Sequence, residues 1–318
     1  MKYEEYGLGN TKEMLLEANM NNYAVPGFNC DSILQLKAML DAAEVTKKDI
    51  IIQISESGLY SLDIETILEI IKRKIKYLKE KNNKIKIALH LDHAKKIESI
   101  KKVCLMGFSS VMFDGSNMEF YKHIELMKEI EKLTKEYDVT LEGELGIIFG
   151  KEEKNITKTM QYTDPQSAIE FITKTGVDSL AVSIGTSHGI DKINDWNSEG
   201  KLKIDILKEI REKMLNFPIV LHGASSIPER EIDKLEKLGV KLSTARGIED
   251  EEINKAIVLN VAKININTDS KIVFFRALRE FLENKKTDLE IRDINEYVKG
   301  ELEKYYIEKI NKLTKNIK

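Results

Sequence analysis

Three of the five histidines in this 318-residue chain close apolar runs that end in polar side chains. His93 ends the run IKIALHLDH, His188 lies at the end of LAVSIGTSHG, and His222 follows PIVL. A polar side chain is costly to bury unpaired, so such endings are typical of buried strands that deliver side chains to a site. Three imidazoles with an open fourth position are typical of a catalytic zinc site. The sequence therefore predicts Zn²⁺ held by His93, His188 and His222.

Several carboxylates stand beside these histidines. Asp92 precedes His93, where it is placed either for proton transfer or for orienting the imidazole through a hydrogen bond. Asp114 ends one neighbouring apolar run, and Glu142 and Glu144 end another. These three form either a second cation position or a hydrogen-bonded ring, and both alternatives stay open at this point.

The remaining two histidines and one lysine receive other interpretations. His90 and Asp92 alternate along one strand and share a face. His90 is interpreted as a core residue or as the hydrogen-bond partner of a ligand, in preference to the alternative that it is a ligand itself. His123, on a predicted helix, is interpreted as a surface residue. Lys263, near the end of another apolar run, is a candidate for a Schiff base, but the histidine triad makes that chemistry redundant.

Two further strand ends are rich in glycine, hydroxyl or amide groups. One is HGAS, residues 222–225, and the other is NINT, residues 265–268. Strand ends followed by a helix commonly bind phosphate through backbone N–H groups. A metal, a phosphate site and a positioned acid together predict carbonyl chemistry on a sugar phosphate.

The elements that must position these residues alternate between strands and helices. Strands are predicted at residues 24–29, 49–55, 85–93, 109–115, 139–146, 179–185, 218–225 and 261–268, and the segments between them have apolar residues at helical spacing. Eight nearly continuous apolar strands followed by helices predict an α/β fold, a closed (β/α)8 TIM barrel. Active sites in this fold lie at the carboxyl ends of the strands, where all the endings above should converge.

Two parts of the chain, an insertion and a C-terminal helix, exceed the minimal repeat, and one more helix precedes the first strand. A capped helix opens the chain at Asn10 and should cover the bottom of the barrel, and an extra helical insertion at residues 228–260 precedes the eighth strand. A long C-terminal helix at about residues 289–317 has an apolar stripe that packs either on its own barrel or against a partner. No Pro- or Gly-rich linker divides the chain, so a single domain, residues 1–318, is predicted.

The composition excludes several classes of protein. The 50 basic and 53 acidic residues nearly cancel, so no global field favours nucleic acid as a partner. No segment is long and apolar enough to span a membrane, and the start has no apolar signal region. Cys30 and Cys104 lack metal-ligand spacing, so a reducing, cytoplasmic location is expected.

The chain resembles the class II, metal-dependent fructose-bisphosphate aldolases, in the subgroup that also contains tagatose-bisphosphate aldolases. The resemblance covers residues 11–275. It rests on ordered motifs: YAVPGFN, HLDH, GFSSVMFDGS, LEGELG, YTDPQSAIEF, TGVDSLAVSIGTSHG, PIVLHGAS and VAKININTDS.

The resemblance implies roles for individual residues. It makes His93, His188 and His222 the Zn²⁺ ligands and Asp92 the acid/base. Glu144 with Asp114 matches a second cation position of unknown identity. Glu152, with Glu153 as the alternative, matches a mobile acidic residue that moves the proton at the nucleophilic carbon. Positions implied to lie near the substrate or its phosphate are Asn29, Ser55, Gly189, Gly223, Ala224, Ser225, Asn265, Ile266, Asn267 and Thr268.

The implied reaction is cleavage of fructose 1,6-bisphosphate to dihydroxyacetone phosphate and glyceraldehyde 3-phosphate. The alternatives are a tagatose-bisphosphate or related ketose-phosphate aldolase, a metal-dependent sugar-phosphate epimerase, and a non-catalytic sugar-phosphate-binding barrel. The small-molecule sugar phosphate is the expected partner. The resemblance also implies a homodimer or homotetramer, with the C-terminal helix contributing to contacts.

Overall fold

The structure is a computed structural model, and it is described for residues 2–152, 155–157, 161–188, 201–224, 227–240, 248–284 and 290–315. For residues 149–152, 155–157 and 188 only the backbone is described.

Eleven strands occur in the described residues. They are β1 Val25–Asn29, β2 Ile50–Ser55, β3 Ile87–Ala94, β4 Ser110–Phe113, β5 Thr140–Leu145, β6 Phe149–Glu152, β7 Asn155–Thr157, β8 Ser179–Val182, β9 Ser187–His188, β10 Ile219–Leu221 and β11 Val261–Ile266.

Twelve α-helices occur in the described residues. They are α1 Thr11–Met20, α2 Ile33–Thr46, α3 Gly58–Ser61, α4 Ile64–Glu80, α5 Ile97–Met106, α6 Phe120–Glu136, α7 Pro165–Thr175, α8 Ile204–Lys213, α9 Glu229–Lys237, α10 Asp250–Ile257, α11 Thr268–Asn284 and α12 Ile291–Leu313. Polar caps set several starts: side-chain oxygens of Asn10, Ser32, Asp63 and Asp164 accept backbone N–H bonds in the first turns of α1, α2, α4 and α7.

Eight parallel strands close into a barrel in the order β1-β11-β10-β8-β5-β4-β3-β2. Helices cover the outer face and side chains fill the interior, which is why these strands are apolar almost throughout. The predicted (β/α)8 barrel is therefore confirmed. All eight predicted strands lie in its wall, with ends one to four residues shorter than predicted in most cases.

Helix α1 closes the bottom of the barrel, as predicted. Its side chains Met14, Leu15 and Ala18 pack against residues near the starts of the strands, including Val25 of β1 and Ala262 of β11. Because that end is filled by apolar side chains, the opposite end is left for polar side chains.

The apolar stripe of α12 packs on its own chain. Val298, Leu302, Tyr305 and Ile310 are buried, and the helix lies along α2. Burying each such apolar side chain contributes about 1.5–3 kcal/mol to the stability of the fold. Packing within the chain therefore already removes this stripe from water. The prediction that this stripe contributes to contacts between subunits is wrong for these residues.

A small three-stranded sheet at the barrel mouth was absent from the predictions. It pairs β6 antiparallel to β7 and parallel to β9. The segment around β6 and β7 reads FGKEEKNIT, whose charged residues mask the alternation that normally indicates a strand. This sheet places the strand that carries Glu152 next to the strand that ends at His188.

Candidate metal and acid–base site

Asp92 and His93 stand at the carboxyl end of β3 and contribute side chains to the same site. In a regular strand, consecutive side chains point to opposite faces. Here His93 has a left-handed φ of 49°, and the register with β4 shifts between Leu91 and Ala94. Such a bulge re-aims a side chain. The irregular end of β3 therefore lets both neighbours reach the mouth of the barrel.

Two imidazoles meet at this mouth. The ring centroids of His93 and His222 are 4.6 Å apart, and the planes cross at 70°. The side chain of His222 is buried, and the side chain of His93 is nearly so. The strands β3 and β10 thus bring together two of the three predicted zinc ligands.

Carboxylates surround the imidazole pair. The Nδ1 atom of His93 lies 3.5 Å from an oxygen of Asp114 and 3.5 Å from an oxygen of Glu144. The Nε2 atom of His93 lies 3.9 Å from Asp92 Oδ1, and His222 Nδ1 lies 3.8 Å from Glu144 Oε2. In two sets, Asp92–His93–His222 and His93–Asp114–Glu144, the ligand atoms lie within 4.8 Å of one another. Imidazole nitrogen and carboxylate oxygen are donors that divalent cations bind, so these residues fit a metal ion.

The position of His188 is described for its backbone alone. That backbone ends β9, beside β6. Gly223, which follows His222, has φ of 62°, and a Cβ atom on it would lie 2.6–2.7 Å from the carbonyl carbon and oxygen of Ser187. The glycine therefore permits a close approach that brings the residues next to His188 and next to His222 together.

The electrostatics of Asp114 follow from its neighbours. Burial by itself would raise the pKa of this carboxyl group, but His93, Ser116 and Lys95 hold it well below its usual range. The Ser116 hydroxyl donates to Asp114 Oδ1 at 2.7 Å, and Lys95 Nζ lies 3.6 Å from Oδ2. Asp114 is thereby kept as an anion at the position predicted for a second cation.

Asp92 is held by two amide groups. Asn29 Nδ2 donates to Asp92 Oδ2 at 2.8 Å, and Asn265 Nδ2 donates to Oδ1 at 3.2 Å. Asp92 as a whole is 3% exposed, so these bonds fix the orientation of its carboxylate in a place that water hardly reaches. Ser55, at the end of β2, pairs in register with Asp92, and its Oγ accepts the N–H of Gly58.

A buried network lies below the imidazoles, inside the barrel. Glu142 Oε1 is 3.0 Å from His222 Nε2, and Glu142 Oε2 is 2.8 Å from Lys263 Nζ. Burial would raise the pKa of Glu142, but the Lys263 ammonium and the bond with His222 hold it well below its usual range. Burial and the nearby Lys263 lower the pKa of His90 to about 3, so its imidazole is neutral. Lys263 is thus an ion-pair partner here, and His90 is the core residue that was predicted.

The predicted phosphate side lies where β11 passes into α11. β11 ends at Ile266 and α11 begins at Thr268, so the NINT segment leads directly into a helix N-terminus. The side chain of Ile266 is buried in the core, so this residue can offer a ligand its backbone. Ala224 is buried beside Gly223. Gly189, Ser225 and Glu153 lie outside the described residues, and Glu152 is described for its backbone in β6.

The surface interpretation of His123 is wrong. Its side chain is buried, its ring centroid lies 4.7 Å from that of Phe171, and a Cβ atom on Gly115 would overlap the imidazole. Burial lowers its pKa to about 4. His123 lies on the inward face of α6 with Met127 and Ile130, a spacing that the sequence contains and that should have indicated a core position.

Two contacts of the site were missed by residue-level reasoning. The hydrogen bond from Asn29 to Asp92 joins residues 63 positions apart, and Asn29 was found only through the resemblance. The bond between Glu142 and His222 could have been anticipated from the spacing of the two glutamates in the sequence. Glu142 and Glu144 alternate along β5 and must share a face, so Glu142 had to point into the barrel.

Comparisons with known proteins place the chain among relatives of one family. A family model described as fructose-bisphosphate aldolase class-II matches residues 9–318. The fructose-bisphosphate aldolase of Treponema pallidum (strain Nichols) is 35% identical over 318 residues, with 96% of each chain covered. That of Giardia intestinalis is 36% identical over 282 residues, which cover 89% of this chain and 85% of the relative. The crystal structure of the YdjI aldolase from Escherichia coli K12 has a TM-score of 0.74 at 26% identity and covers 96% of this chain and 97% of that one.

Proposed function

Because the chain belongs to the class II fructose-bisphosphate aldolase family, we propose that it cleaves fructose 1,6-bisphosphate reversibly to dihydroxyacetone phosphate and glyceraldehyde 3-phosphate. The family and the lyase class predicted from the ordered motifs are confirmed by the match. One observation carries the reaction proposed for this chain: a buried carboxylate, Asp92, is fixed by two amides beside a pair of imidazoles.

The proposal assigns a catalytic Zn²⁺ to His93, His188 and His222. The convergence of His93 and His222, and the approach of Gly223 to Ser187, support this set. Zn²⁺ would supply a Lewis acid for the negative charge that develops on substrate oxygens during cleavage. A second cation of unknown identity is assigned to Asp114 and Glu144, whose oxygens both lie 3.5 Å from His93 Nδ1.

Asp92 takes the proton from the C4 hydroxyl of the substrate. The C4 oxygen then forms the aldehyde carbonyl, the C3–C4 bond breaks, and its electron pair passes to the C2 carbonyl as an ene-diolate. The amides of Asn29 and Asn265 keep the Asp92 oxygens in the orientation needed for transfer. A positioned acid or base of this kind contributes typically 10²–10⁴-fold to the rate.

Glu152, in its protonated form, is proposed to supply a proton of its own to C3, which completes dihydroxyacetone phosphate, while the proton on Asp92 leaves to solvent. The strand of Glu152, β6, lies beside β9 at the mouth, and this position supports the role. The phosphate of the three-carbon product is proposed to lie against Gly189, Gly223, Ala224, Ser225 and the segment Asn265, Ile266, Asn267 and Thr268. The N-terminus of α11 supports this, since helix N-termini favour anions.

A coupled triose-phosphate assay tests the reaction. Fructose and tagatose bisphosphates are compared side by side, after removal of metal by a chelator and after restoration of Zn²⁺. The proposal expects cleavage that chelation abolishes and Zn²⁺ restores, with faster turnover of fructose bisphosphate. Preference for tagatose bisphosphate would reassign the substrate, and absence of triose release with Zn²⁺ restored would overturn the reaction.

The protein is also proposed to be a single domain with a cytoplasmic location. The family match over residues 9–318 supports one catalytic domain spanning 1–318. Cys30 and Cys104 are buried free thiols, which supports a cytoplasmic location. No helix among the described residues is long and apolar enough to cross a membrane.

A homodimer or homotetramer is also proposed. The exposed side chains of Phe275 and Leu282 on α11 support it, because they offer apolar surface away from the stripe that α12 buries. Light scattering of the full-length protein at micromolar concentration should give at least twice the mass of one chain. A monomeric mass with full activity would end this part of the proposal.

A further inference from the structure

Three ionisable side chains below the site take no part in the proposed proton transfers. Glu142, Lys263 and His90 point into the barrel, and each is at most 2% exposed. Burying an ion pair carries a desolvation cost that its attraction often fails to repay, so a buried pair is weak evidence of a role in stability. The distances among these side chains instead indicate a role in orienting hydrogen bonds at the site.

The Lys263 ammonium determines which atoms donate and which accept in this hydrogen-bond network. A lysine ammonium has donors and no acceptor. Lys263 Nζ lies 2.8 Å from Glu142 Oε2 and 3.3 Å from His90 Nε2, so both of these atoms accept from it. The other nitrogen of His90, Nδ1, therefore carries the hydrogen and donates to Ser110 Oγ at 2.7 Å.

The same logic fixes the tautomer of His222. With Lys263 bound to one oxygen, Glu142 is a carboxylate, and a carboxylate accepts hydrogen bonds and donates none. Its Oε1 atom lies 3.0 Å from His222 Nε2, so Nε2 carries the hydrogen. The lone pair is then on Nδ1, on the side of Glu144 and the His93 ring.

We propose that Glu142, anchored by Lys263, is a positioning residue that holds His222 in the tautomer whose Nδ1 lone pair faces the metal position. The inference rests on the proposed metal-dependent function and adds Glu142 as the residue that sets the tautomer of the ligand His222. Partners of this kind typically change metal affinity 10–100-fold when they are removed.

The substitution Glu142→Gln tests the direction of the hydrogen bond while keeping its shape. The amide oxygen of the glutamine must face the Lys263 ammonium, because an NH₂ group there would oppose another donor. The NH₂ group then faces His222 Nε2 and forces the hydrogen onto Nδ1. We expect zinc affinity to fall about 10–100-fold.

A second substitution distinguishes tautomer from charge. In Glu142→Gln with Lys263→Met, the ammonium is gone and the amide can turn its oxygen toward His222 Nε2. Both single and double variants lack the Glu142 charge, yet only the double variant can restore the ligand tautomer. We expect it to regain at least tenfold in zinc affinity over Glu142→Gln.

A matched control lies away from the site. Glu231 is also a buried carboxylate paired with a buried cation, with Oε2 accepting from Arg276 Nε at 2.7 Å. Glu231→Gln should leave zinc affinity within about twofold of the wild type. A comparable loss in this control would mean that any buried carboxylate substitution disturbs the site, and the inference would fall.

Two measurements on the full chain decide the matter. Zinc affinity is obtained by competition with a chromogenic chelator, and the His222 tautomer is obtained from long-range ¹⁵N–¹H NMR of the metal-free protein. Wild-type His222 with its hydrogen on Nδ1, or a double variant without regained affinity, would overturn the inference. If the wild type bound no zinc, the proposed metal site would fail, while the NMR measurement would still decide the tautomer separately.

Discussion

The barrel mouth has two halves with different chemistry. The charged half, at the ends of β3, β4, β5 and β10, holds His93, Asp114, Glu144 and His222 within a few ångströms of one another. The amide half, at the ends of β1 and β11, holds Asn29 and Asn265.

Asp92 stands on the boundary between the halves and contacts both. The charged half offers donors that a cation binds, and the amide half offers neutral N–H groups that orient a carboxylate without adding charge. Under the proposed function, this difference corresponds to a division of labour, in which the charged half would hold the metal and the amide half would hold the proton-transfer group. Substitutions in each half should therefore separate metal binding from turnover.

The largest effect is expected in the charged half. His222→Ala removes an imidazole from the cluster, so the protein should lose most of its zinc and about 10³-fold or more in activity. Metal analysis of the purified variant is the measurement, and His123→Gln, outside the cluster, should keep its zinc. A full metal equivalent in the His222 variant would remove this residue from the ligand set.

The boundary residue should show a large effect of a different kind. Asp92→Ala should keep the metal and lose roughly 10²–10⁴-fold in kcat, because the group that accepts the C4 proton is gone. Steady-state kinetics and metal analysis on the same preparation check this. Zinc lost together with activity would instead favour an orienting role for Asp92 on His93.

The amide half should give a smaller loss with no change in metal. Asn265→Ala removes one of the two hydrogen bonds to the Asp92 carboxylate, and hydrogen bonds to charged groups contribute about 1.5–3 kcal/mol. A decrease in kcat of about 10–100-fold with full zinc content is expected. If the variant lost zinc as readily as His222→Ala, the two halves would not be separable.

The smallest effect is expected farther along the amide half. Asn267→Ala alters a partly buried side chain that is proposed to contact the substrate. A neutral hydrogen bond contributes about 0.5–1.5 kcal/mol, so KM for the bisphosphate should rise about 2–10-fold with kcat nearly constant. A change in kcat alone would place Asn267 in the chemical step and not in substrate binding.

The sequence was most informative where a buried run ended in polar side chains. The runs that end in HLDH, LEGELG and LHGAS pointed to His93, Glu144 and His222 of the charged half, because a polar side chain is costly to bury unpaired. Glu142 and Glu144 are two residues apart on one strand, and this spacing likewise predicts that both side chains point into the barrel. These features depend on local spacing, which a single sequence displays directly.

Features that depend on the tertiary partner were not readable from one sequence. The stripe on α12 has the same spacing whether it meets α2 or another subunit, and the structure selects α2. The bond between Asn29 and Asp92 requires β1 to pair with β2 and β2 with β3, and the bond from Asn265 requires β11 to close against β1. No local pattern encodes either pairing. The bulge at His93 depends on register with β4, and a one-residue shift there has no signature in the letters HLDH.

The closure of the barrel by β1 and β11 has a consequence for the newborn chain. Residues Val25 to Phe28 of β1 pair with Lys263 to Ile266, 238 residues later in the chain. Ribosomes add about 5–20 residues per second, so this edge of β1 stays open for roughly 10–50 s of synthesis. An unpaired strand edge is a template for pairing with other chains. The seam that brings Asn265 to Asp92 therefore cannot form before β11 has been made, and the open edge of β1 exposes newly made chains to misassembly until then.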